Sequence, residues 1–333
     1  MTRKFELAID NAADHLRHGR YTDAEREVDW FFECVEGTDV NKGLLVKAHL
    51  LAARALAYRS EHTDAVKHCM EALRISEELK DVPAQADTMR WLGYVHWRKG
   101  DPNMAMECLE EGIKRAREVG DGRLEGIIRV EMSNATEALG DQQGAIDHVK
   151  AAIPLLEGAD DPMELARAYN NLADSYLHMG EWKKAAELFK KSMDTSAEDV
   201  DMKAWASIGL GECFGELGKL KDARRELDVA IPVLKRSGDK LGLAYAFRVL
   251  GVVHAKAARW ADAKETLEHS RAIMMNLGVP QSEGQVLRDL GRMYLWKGEK
   301  GLAKEHLKAA QGIFKDIGAR HELEVVEGHL KGL

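Results

Sequence analysis

The chain has 333 residues, of which 45% are hydrophobic and 31% charged, and its formal net charge is -8. This apolar content is that of a packed protein and excludes a disordered chain. The acidic balance, with both signs of charge interspersed, argues against a protein that coats nucleic acid.

The beginning of the chain and its cysteines predict a protein that stays in the cytoplasm. The first residues, MTRKFELAIDNAADH, have no apolar signal-peptide core, and no apolar run approaches the roughly 18 residues that span a bilayer. Four cysteines form no CxxC pair and are too few for a disulfide framework in a chain of this length. They are Cys34, Cys69, Cys108 and Cys213. We expect reduced, buried thiols with no metal or redox role.

A short segment recurs along the chain at intervals close to forty residues. In chain order its copies read HGRYTDA, RSEHTDA, KGDPNMA, LGDQQGA, MGEWKKA, LGKLKDA, AARWADA and KGEKGLA. The second residue of each copy, called here the connector residue, is small, and successive connectors are 41, 40, 40, 40, 38, 40 and 40 residues apart. The connectors are Gly19, Ser60, Gly100, Gly140, Gly180, Gly218, Ala258 and Gly298. The pattern predicts eight structural repeats.

Two further positions are constant in type across the eight repeats. The residue five positions after each connector is alanine: Ala24, Ala65, Ala105, Ala145, Ala185, Ala223, Ala263 and Ala303. The residue seven positions before it is small: Ala12, Ala53, Gly93, Ser133, Ala173, Gly211, Gly251 and Gly291. Antiparallel helices in close contact need small side chains where their axes approach. Each repeat is therefore predicted to be two helices joined at a connector with positive φ.

Glycine and proline mark the borders of the predicted repeats. Four glycines lie twenty residues after a connector, where a glycine ends a helix. They are Gly120, Gly238, Gly278 and Gly318. Three prolines lie near the start of a first helix, where proline is tolerated: Pro83, Pro162 and Pro280. Strand signals are absent, and we expect about three quarters of the chain or more to be helical.

The stretch YNNLADSYLHMGEWKKAAELF, which begins at Tyr169, carries a family resemblance. Its Y-x2-L-A-x2-Y, followed by A-x3-F, is similar to the tetratricopeptide pattern W-x2-L-G-x2-Y followed by A-x3-F. The last two repeats give FRVLG and LRDLGRMY at the same place. The chain resembles tetratricopeptide repeat proteins over nearly its whole length. Its period resembles the forty-residue variety of kinesin light chains, Pins-type spindle proteins and bacterial peptide-pheromone sensors.

This resemblance implies an all-α fold, a right-handed superhelical solenoid of eight antiparallel helix pairs with a C-terminal capping helix. We expect a single solenoid over residues 1–333. The predicted repeats are 3–41, 43–81, 83–121, 123–160, 162–199, 201–238, 241–278 and 281–318, and residues 319–333 form the cap. Proline inside the second helix, in AAIPLL and VAIPVL, predicts kinks at Pro154 and Pro232.

The chain carries no recognisable catalytic motif. The segment GECFGELGKL has the wrong glycine spacing for a phosphate loop, lacks the Ser or Thr, and follows no strand. The 13 histidines form no HExxH motif, and no two carboxylates stand out as acid and base. We predict a protein that is not an enzyme and uses no cofactor or metal.

The predicted activity is binding. First helices line the concave surface of stacked helix pairs, and the resemblance implies that this groove holds a peptide. Repeats two and three offer a basic and aromatic zone: Arg54, Arg90, Trp91, Tyr94, Trp97 and Arg98. Repeats four to six offer an acidic, amide-rich zone: Glu131, Asn134, Glu137, Asn170, Asn171, Asp174, Glu212 and Glu216. Repeats seven and eight offer a mostly basic zone: Arg248, Lys256, Arg288, Asp289 and Arg292.

Each zone has a plainer interpretation. The charges could form a solvated face, and the aromatic side chains of the first zone could be core packing between repeats. Aromatic and arginine side chains dominate binding hot spots, which favours ligand contacts. The doubled Asn170 and Asn171 resemble the asparagine-bearing helix of kinesin light chains and Pins-type proteins. An asparagine amide can bond the backbone of an extended peptide as donor and acceptor.

The first repeat carries an aromatic cluster of its own in VDWFFECV. Phe31 stands between Trp30 and Phe32, at a position where four later repeats have alanine: Ala72, Ala152, Ala230 and Ala310. The three rings form either a bulky cap over the first helix pair or a self-association patch.

The sequence thus predicts a cytoplasmic scaffold that binds a protein or peptide partner, with no nucleic acid and no membrane. One alternative is a peptide-responsive regulator of the pheromone-sensor kind. Such regulators usually carry an added DNA-binding or effector segment, for which we expect no room because the repeats begin by about Phe5. The other alternative is a structural subunit of an assembly that binds through its convex face or its ends.

Overall fold

The computed structural model describes residues 2–35, 37–38, 40–196 and 199–333. Within these ranges the chain forms seventeen α-helices and no strand, so the predicted all-α repeat fold is confirmed. Residues 36, 39, 197 and 198, at the ends of the predicted first and fifth repeats, lie outside the described residues.

The helices alternate between first and second helices of successive pairs. In chain order they are α1 (Thr2–Arg17), α2 (Tyr21–Val35), α3 (Lys42–Tyr58), α4 (His62–Leu79), α5 (Val82–Lys99), α6 (Pro102–Glu118), α7 (Gly122–Ala138), α8 (Gln142–Gly158), α9 (Pro162–His178), α10 (Trp182–Thr195), α11 (Val200–Glu216), α12 (Leu220–Ser237), α13 (Lys240–Lys256), α14 (Trp260–Leu277), α15 (Pro280–Lys297), α16 (Lys300–Asp316) and α17 (Arg320–Lys331).

Contacts between helices divide the chain into two compact stacks. The N-terminal stack is Met1–Asp161 and contains α1 to α8, and the C-terminal stack is Pro162–Leu333 and contains α9 to α17. In each stack the odd-numbered helices pack on the even-numbered helices that follow them, and the last helix, α17, packs on α16. The continuity of one array over residues 1–333 stays a prediction.

The connector residues adopt the left-handed backbone that the pattern requires. All eight have positive φ, including the two that are not glycine, Ser60 at 67° and Ala258 at 57°. Since a side chain in this region costs conformational energy, the fold and not the residue type imposes the turn at these two positions. The repeat pattern therefore identifies the turn even where glycine is missing.

The small positions lie where the two helices of a pair touch. The alanines five residues after the connectors are all fully buried. A Cβ atom on Gly93 would lie 2.5 Å from the Leu109 side chain and 3.1 Å from the carbonyl oxygen of Ala105. A Cβ atom on Gly251 would likewise lie 2.5 Å from the Leu267 side chain. Close helix contact, predicted from the small side chains, is thus confirmed.

Helix ends are fixed by a combination of residues that the sequence pattern revealed only in part. The four predicted capping glycines have φ between 64° and 74°. Six aspartates accept a hydrogen bond from a backbone N–H of the helix that they precede, and the repeat pattern did not indicate them. They are Asp81, Asp101, Asp121, Asp141, Asp199 and Asp239. Such N-caps contribute roughly 1 kcal/mol each.

The interior prolines do not end their helices. Helix α8 continues through Pro154 to Gly158, and α12 continues through Pro232 to Ser237. A kink at either proline stays a prediction.

Phe31 belongs to the core of the first repeat and not to its surface. It is fully buried, and its ring lies 5.8 Å from that of Phe5 and 5.6 Å from that of Phe32. Because its ring packs against α1, Phe31 has no exposed surface to contribute to the predicted self-association patch, and self-association itself stays a prediction. Trp30 is 41% exposed and Phe32 half-buried, so any patch rests on these two.

Candidate binding surfaces

One face of every first helix can be defined by counting back from the connector. Positions 6, 9, 10 and 13 before it lie on the same side of the helix, because these spacings follow the helical period. We call it the first-helix face. All nineteen residues of the three predicted zones lie on this face or beside it, and their contacts differ sharply between repeats.

One hydrogen bond recurs at the same register of this face in both stacks. Arg90, ten residues before its connector, donates to Glu131 over 2.7 Å. Arg248, ten residues before its own connector, donates to Asp289 over 2.9 Å. In both cases the acceptor lies 41 residues later, nine residues before the next connector. The bond braces neighbouring repeats and neutralises charges that the sequence assigned to a ligand.

In the C-terminal stack this brace is part of a network of four cations and four carboxylates. Arg248 also donates twice to Glu212, over 2.7 and 2.8 Å, and is only 6% exposed. The other bridges join Arg288 to Glu322 and Asp289, Arg292 to Glu216 and Asp289, and Lys256 to Glu216. Each cation of the predicted mostly basic zone of repeats seven and eight thus lies against a carboxylate, and a binding role for this zone stays a prediction.

Asp289 is the centre of this network. Its side chain is completely buried, and it receives Arg248, Arg288 and Arg292. Burial opposes ionisation, yet the three guanidiniums lower the pKa of Asp289 to about 2. Asp289 is therefore a structural anion and not a ligand contact.

In the N-terminal stack, Trp91 lies beneath two guanidiniums. The Cζ atoms of Arg54 and Arg90 are 4.9 and 4.3 Å from the centre of its ring, within range of a cation–π interaction. Trp91 is 5% exposed, which agrees with the packing interpretation for this one residue. Tyr94, Trp97 and Arg98 are half-buried.

Aromatic side chains form a continuous row beside this pair. Tyr21 stacks on Tyr58 with ring centres 4.8 Å apart, Tyr58 lies 5.8 Å from Tyr94, and Tyr94 lies 5.8 Å from Trp97. Tyr58 is 36% exposed. The sequence prediction missed Tyr21 and Tyr58. Each tyrosine lies two residues from a connector, and therefore at a helix end beside the predicted zone. This position could have identified them from the sequence.

Arg54 has neither a carboxylate within 4.0 Å nor a hydrogen bond in the described part of the chain, and its Nε is buried without a partner. Burial lowers the pKa of Arg54, Tyr58 opposes this, and Arg90 adds to it. Asp87 and Glu131 act on this guanidinium only from beyond salt-bridge distance.

Asn170 is the corresponding polar residue of the C-terminal stack. Its Nδ2 donates to Asp174 over 3.2 Å, while its Oδ1 is buried without a hydrogen-bond partner. Asn170 lies ten residues before its connector, as Arg90 and Arg248 do. The position nine residues before the next connector, which holds the acceptor carboxylate in those two cases, is here Gly209. A Cβ atom on Gly209 would lie 2.2 Å from the Phe189 ring, so no longer side chain fits there. Asn134 and Asn171 are half-buried.

A histidine pair lies away from the first-helix face and was not predicted. The Nδ1 atoms of His49 on α3 and His68 on α4 are 3.0 Å apart, and the Phe32 ring lies 4.6 Å from that of His49. The ring centres are 5.2 Å apart, and the two Nδ1 atoms lie within hydrogen-bond distance of one another. Burial, followed by the neighbouring His68, lowers the pKa of His49 to about 4.

This pair predicts a loss of stability in mild acid. Between pH 6.5 and about 4 the unfolded chain binds a proton at this position that the folded chain does not, so stability falls as the pH drops. We expect His49→Gln to remove about 1–3 kcal/mol of the difference in unfolding free energy between pH 7 and pH 4.5. Urea titrations at both pH values measure it. His321→Gln, at an exposed histidine, is the control, and equal pH dependence in wild type and His49→Gln would contradict the assignment.

Among the residues that the structure describes, no three His, Cys, Asp or Glu side chains come together as a group able to hold a metal ion. None of the described helices combines the length and apolar character needed to cross a bilayer.

A family model described as tetratricopeptide repeat matches residues 45–118 and 164–236. These segments cover the second and third, and the fifth and sixth, helix pairs. The chain is a tetratricopeptide repeat protein. Human tetratricopeptide repeat protein 29 is 23% identical to it over 158 residues, which are 47% of this chain and 33% of the relative.

Outer dynein arm-docking complex subunit 4 of Danio rerio is 24% identical to this tetratricopeptide repeat protein over 137 residues, which are 37% of the chain and 28% of the relative. The chain thus spans about a third of the length of the curated relatives it matches.

Solved structures of repeat proteins share the fold over nearly the whole chain. A Rap protein complexed with Competence and Sporulation Factor is 12% identical, with a TM-score of 0.62, covering 100% of this chain and 98% of that one. The apo form of RapI is 16% identical, with a TM-score of 0.64 and 98% of both chains covered. The Cut9-Hcn1 structure is 17% identical, with a TM-score of 0.64, covering 96% of this tetratricopeptide repeat protein and 55% of that chain. These likenesses show the helical repeat fold.

Proposed function

We propose that this chain is a non-enzymatic, cytoplasmic interaction scaffold that holds an extended segment of a partner protein against its first-helix face. The observation that carries the proposal is the buried Oδ1 of Asn170, an acceptor without a partner at a register where other repeats are braced. A buried polar atom without a hydrogen bond costs roughly 1–3 kcal/mol. A backbone N–H of a bound segment would satisfy it.

Similar proteins support a binding role. One Rap structure is a complex with Competence and Sporulation Factor, and the Cut9-Hcn1 structure is a hetero-tetramer. One curated relative is named as a subunit of a docking complex. Protein partners are common to all three names.

Asn170→Ala tests the proposal, because it removes the amide without enlarging the side chain. We expect partner recovery in affinity capture to fall roughly tenfold, because the loss of one good hydrogen bond weakens binding by about that factor. The free energy of unfolding should stay level or rise, since the variant also removes an unsatisfied acceptor. Quantitative mass spectrometry of the captured proteins and a urea titration give the two values.

Asn276→Ala is the matched control, because Asn276 is an exposed asparagine near the end of second helix α14. It should leave both partner recovery and stability unchanged. Partner recovery by Asn170→Ala equal to that by Asn276→Ala would count against the proposed function.

A second candidate is a subunit of a larger assembly, favoured by the similarity to the dynein arm-docking subunit over 37% of the chain. A competition experiment distinguishes these two functions. A short synthetic peptide copied from the partner displaces the intact partner from a groove that binds an extended segment. It does not displace a folded subunit that covers a broad interface.

A further inference from the structure

The first-helix face of the N-terminal stack carries two arginines that lack a carboxylate partner. Arg90 is neutralised by Asp87 over 2.8 Å and by Glu131 over 2.7 Å. Arg54 and Arg98 have no carboxylate within 4.0 Å in the described ranges. Of these three guanidiniums, only that of Arg90 is therefore paired with a carboxylate in the described part of the chain.

The position of the Arg54 charge is fixed by the side chains around it. The Arg54 guanidinium lies over the Trp91 ring at 4.9 Å, and Arg90 lies over the same ring at 4.3 Å. Trp91 is itself buried in the core between repeats. A guanidinium held on a rigid ring loses little freedom when it binds, which favours affinity for a planar, two-oxygen acceptor.

An apolar surface adjoins the charge. Tyr58, Tyr94 and Trp97 follow one another with ring centres 5.8 Å apart, and Arg98 lies 6.0 Å from the Tyr94 ring. Tyr58 is exposed and the other two are half-buried. Aromatic side chains beside arginine are the residue types that contribute most to protein interfaces.

We propose that this surface, made of Arg54, Tyr58, Tyr94, Trp97 and Arg98, binds an acidic protein segment in extended conformation. An Asp or Glu carboxylate of the segment accepts hydrogen bonds from Arg54, and an adjacent apolar or aromatic side chain lies on the row of rings. The inference rests on the proposed function, to which it adds the chemistry of the partner.

A protein segment fits better than a nucleic acid. Two unpaired guanidiniums match one or two carboxylates, whereas a phosphate backbone needs a run of cations. The chain as a whole carries a net charge of -8, which repels a polyanion. A partially buried guanidinium also strengthens a charge-assisted bond, because solvent screens it less.

A random heptapeptide phage library panned on the full chain tests the inference. We expect selected peptides to be enriched in Asp or Glu next to an aromatic or large apolar residue. Synthetic copies should bind with affinities that Arg54→Met weakens roughly 10- to 100-fold. Replacing the acidic residue of the peptide by its amide should weaken binding to the wild type by the same factor. It should not weaken binding to Arg54→Met any further. Fluorescence anisotropy at two salt concentrations measures these affinities.

Two variants keep the result interpretable. Arg26→Met alters an arginine that is 75% exposed on α2 and should bind as wild type does. Arg54→Lys keeps the charge but loses the planar guanidinium that can donate two hydrogen bonds to one carboxylate. It should bind the selected peptides with intermediate affinity. Arg54→Met should fold, since it replaces an unpaired, partly buried cation by an apolar side chain, and circular dichroism confirms this.

The outcomes are distinct. Selected peptides without acidic residues, or equal binding by Arg54→Met and Arg26→Met, overturn this inference and leave the proposed function standing. No selected peptide at all counts against both. Tighter binding of a single-stranded oligonucleotide than of any peptide, lost in Arg54→Met, assigns the surface to nucleic acid and also overturns the inference.

Discussion

Asp289→Asn is expected to lower the free energy of unfolding by about 3–5 kcal/mol, the usual cost of removing one partner from a buried ion pair. The substitution keeps the shape of the side chain and removes only its charge. Arg248, Arg288 and Arg292 would then face one another around a completely buried neutral amide. Repulsion among three guanidiniums, and the desolvation of Arg248, would no longer be offset.

Urea unfolding measures this loss, and Glu268→Gln provides the comparison. Glu268 forms an i,i+4 pair with Lys264 over 3.7 Å, and both side chains are more than half exposed. Such a pair contributes well below about 1 kcal/mol. If Asp289→Asn and Glu268→Gln had similar effects, the network would be a surface feature in solution and the bracing role would be wrong.

The pH dependence of the same variant has a definite sign. A carboxyl group whose pKa is lowered by folding stabilises the protein above its ordinary pKa, and this contribution disappears as the pH falls through the lowered value. For Asp289 that value is about 2. The stability difference between wild type and Asp289→Asn should therefore be constant from pH 7 to about pH 4 and shrink only toward pH 2.

The fold could be predicted because its determinants are local and repeated eight times. A connector with positive φ, an alanine five residues later and a small residue seven residues earlier each reflect a backbone or contact requirement that leaves few alternatives. The turn at Ala258, where neighbouring repeats have glycine, shows how strongly the pattern constrains the chain.

The candidate surfaces could be predicted only as sets of positions. A long side chain on the first-helix face can extend toward a ligand or toward the next repeat, and register alone does not distinguish these directions. Arg54 and Arg248 were both groove candidates in the sequence, six and ten residues before their connectors, yet Arg248 is buried in a network and Arg54 is unpaired. An acidic residue 41 positions after the arginine was the available signal. It follows Arg90 and Arg248, which both lie ten residues before a connector, whereas Arg54 lies six residues before its connector and is outside this register.

The choice between glycine and alanine at the small position follows the residue that faces it. The four repeats with glycine there have leucine nine residues after the connector: Leu109, Leu227, Leu267 and Leu307. The four repeats with alanine or serine have another residue: Val28, Cys69, Val149 and Phe189. A Cβ atom at Gly251 would lie 2.5 Å from Leu267, whose branched side chain occupies the space. The two positions are therefore expected to be energetically coupled.

Gly251→Ala is expected to destabilise the protein by about 1–3 kcal/mol, the usual cost of overpacking a core, although alanine is the better helix former. Leu267→Val alone should cost about 1 kcal/mol through lost packing. The double variant recreates the alanine and valine combination of the first repeat, and should be more stable than the sum of the two single effects by 1 kcal/mol or more.

Gly312→Ala isolates helix propensity from packing, because a Cβ atom there would meet nothing within 4 Å. This variant should raise the free energy of unfolding by up to about 1 kcal/mol, opposite in sign to Gly251→Ala. Urea unfolding of the four variants gives all the terms of the cycle. Strict additivity of Gly251→Ala and Leu267→Val would show that the two side chains do not compete for the same space, and the packing explanation for the glycines would have to be abandoned.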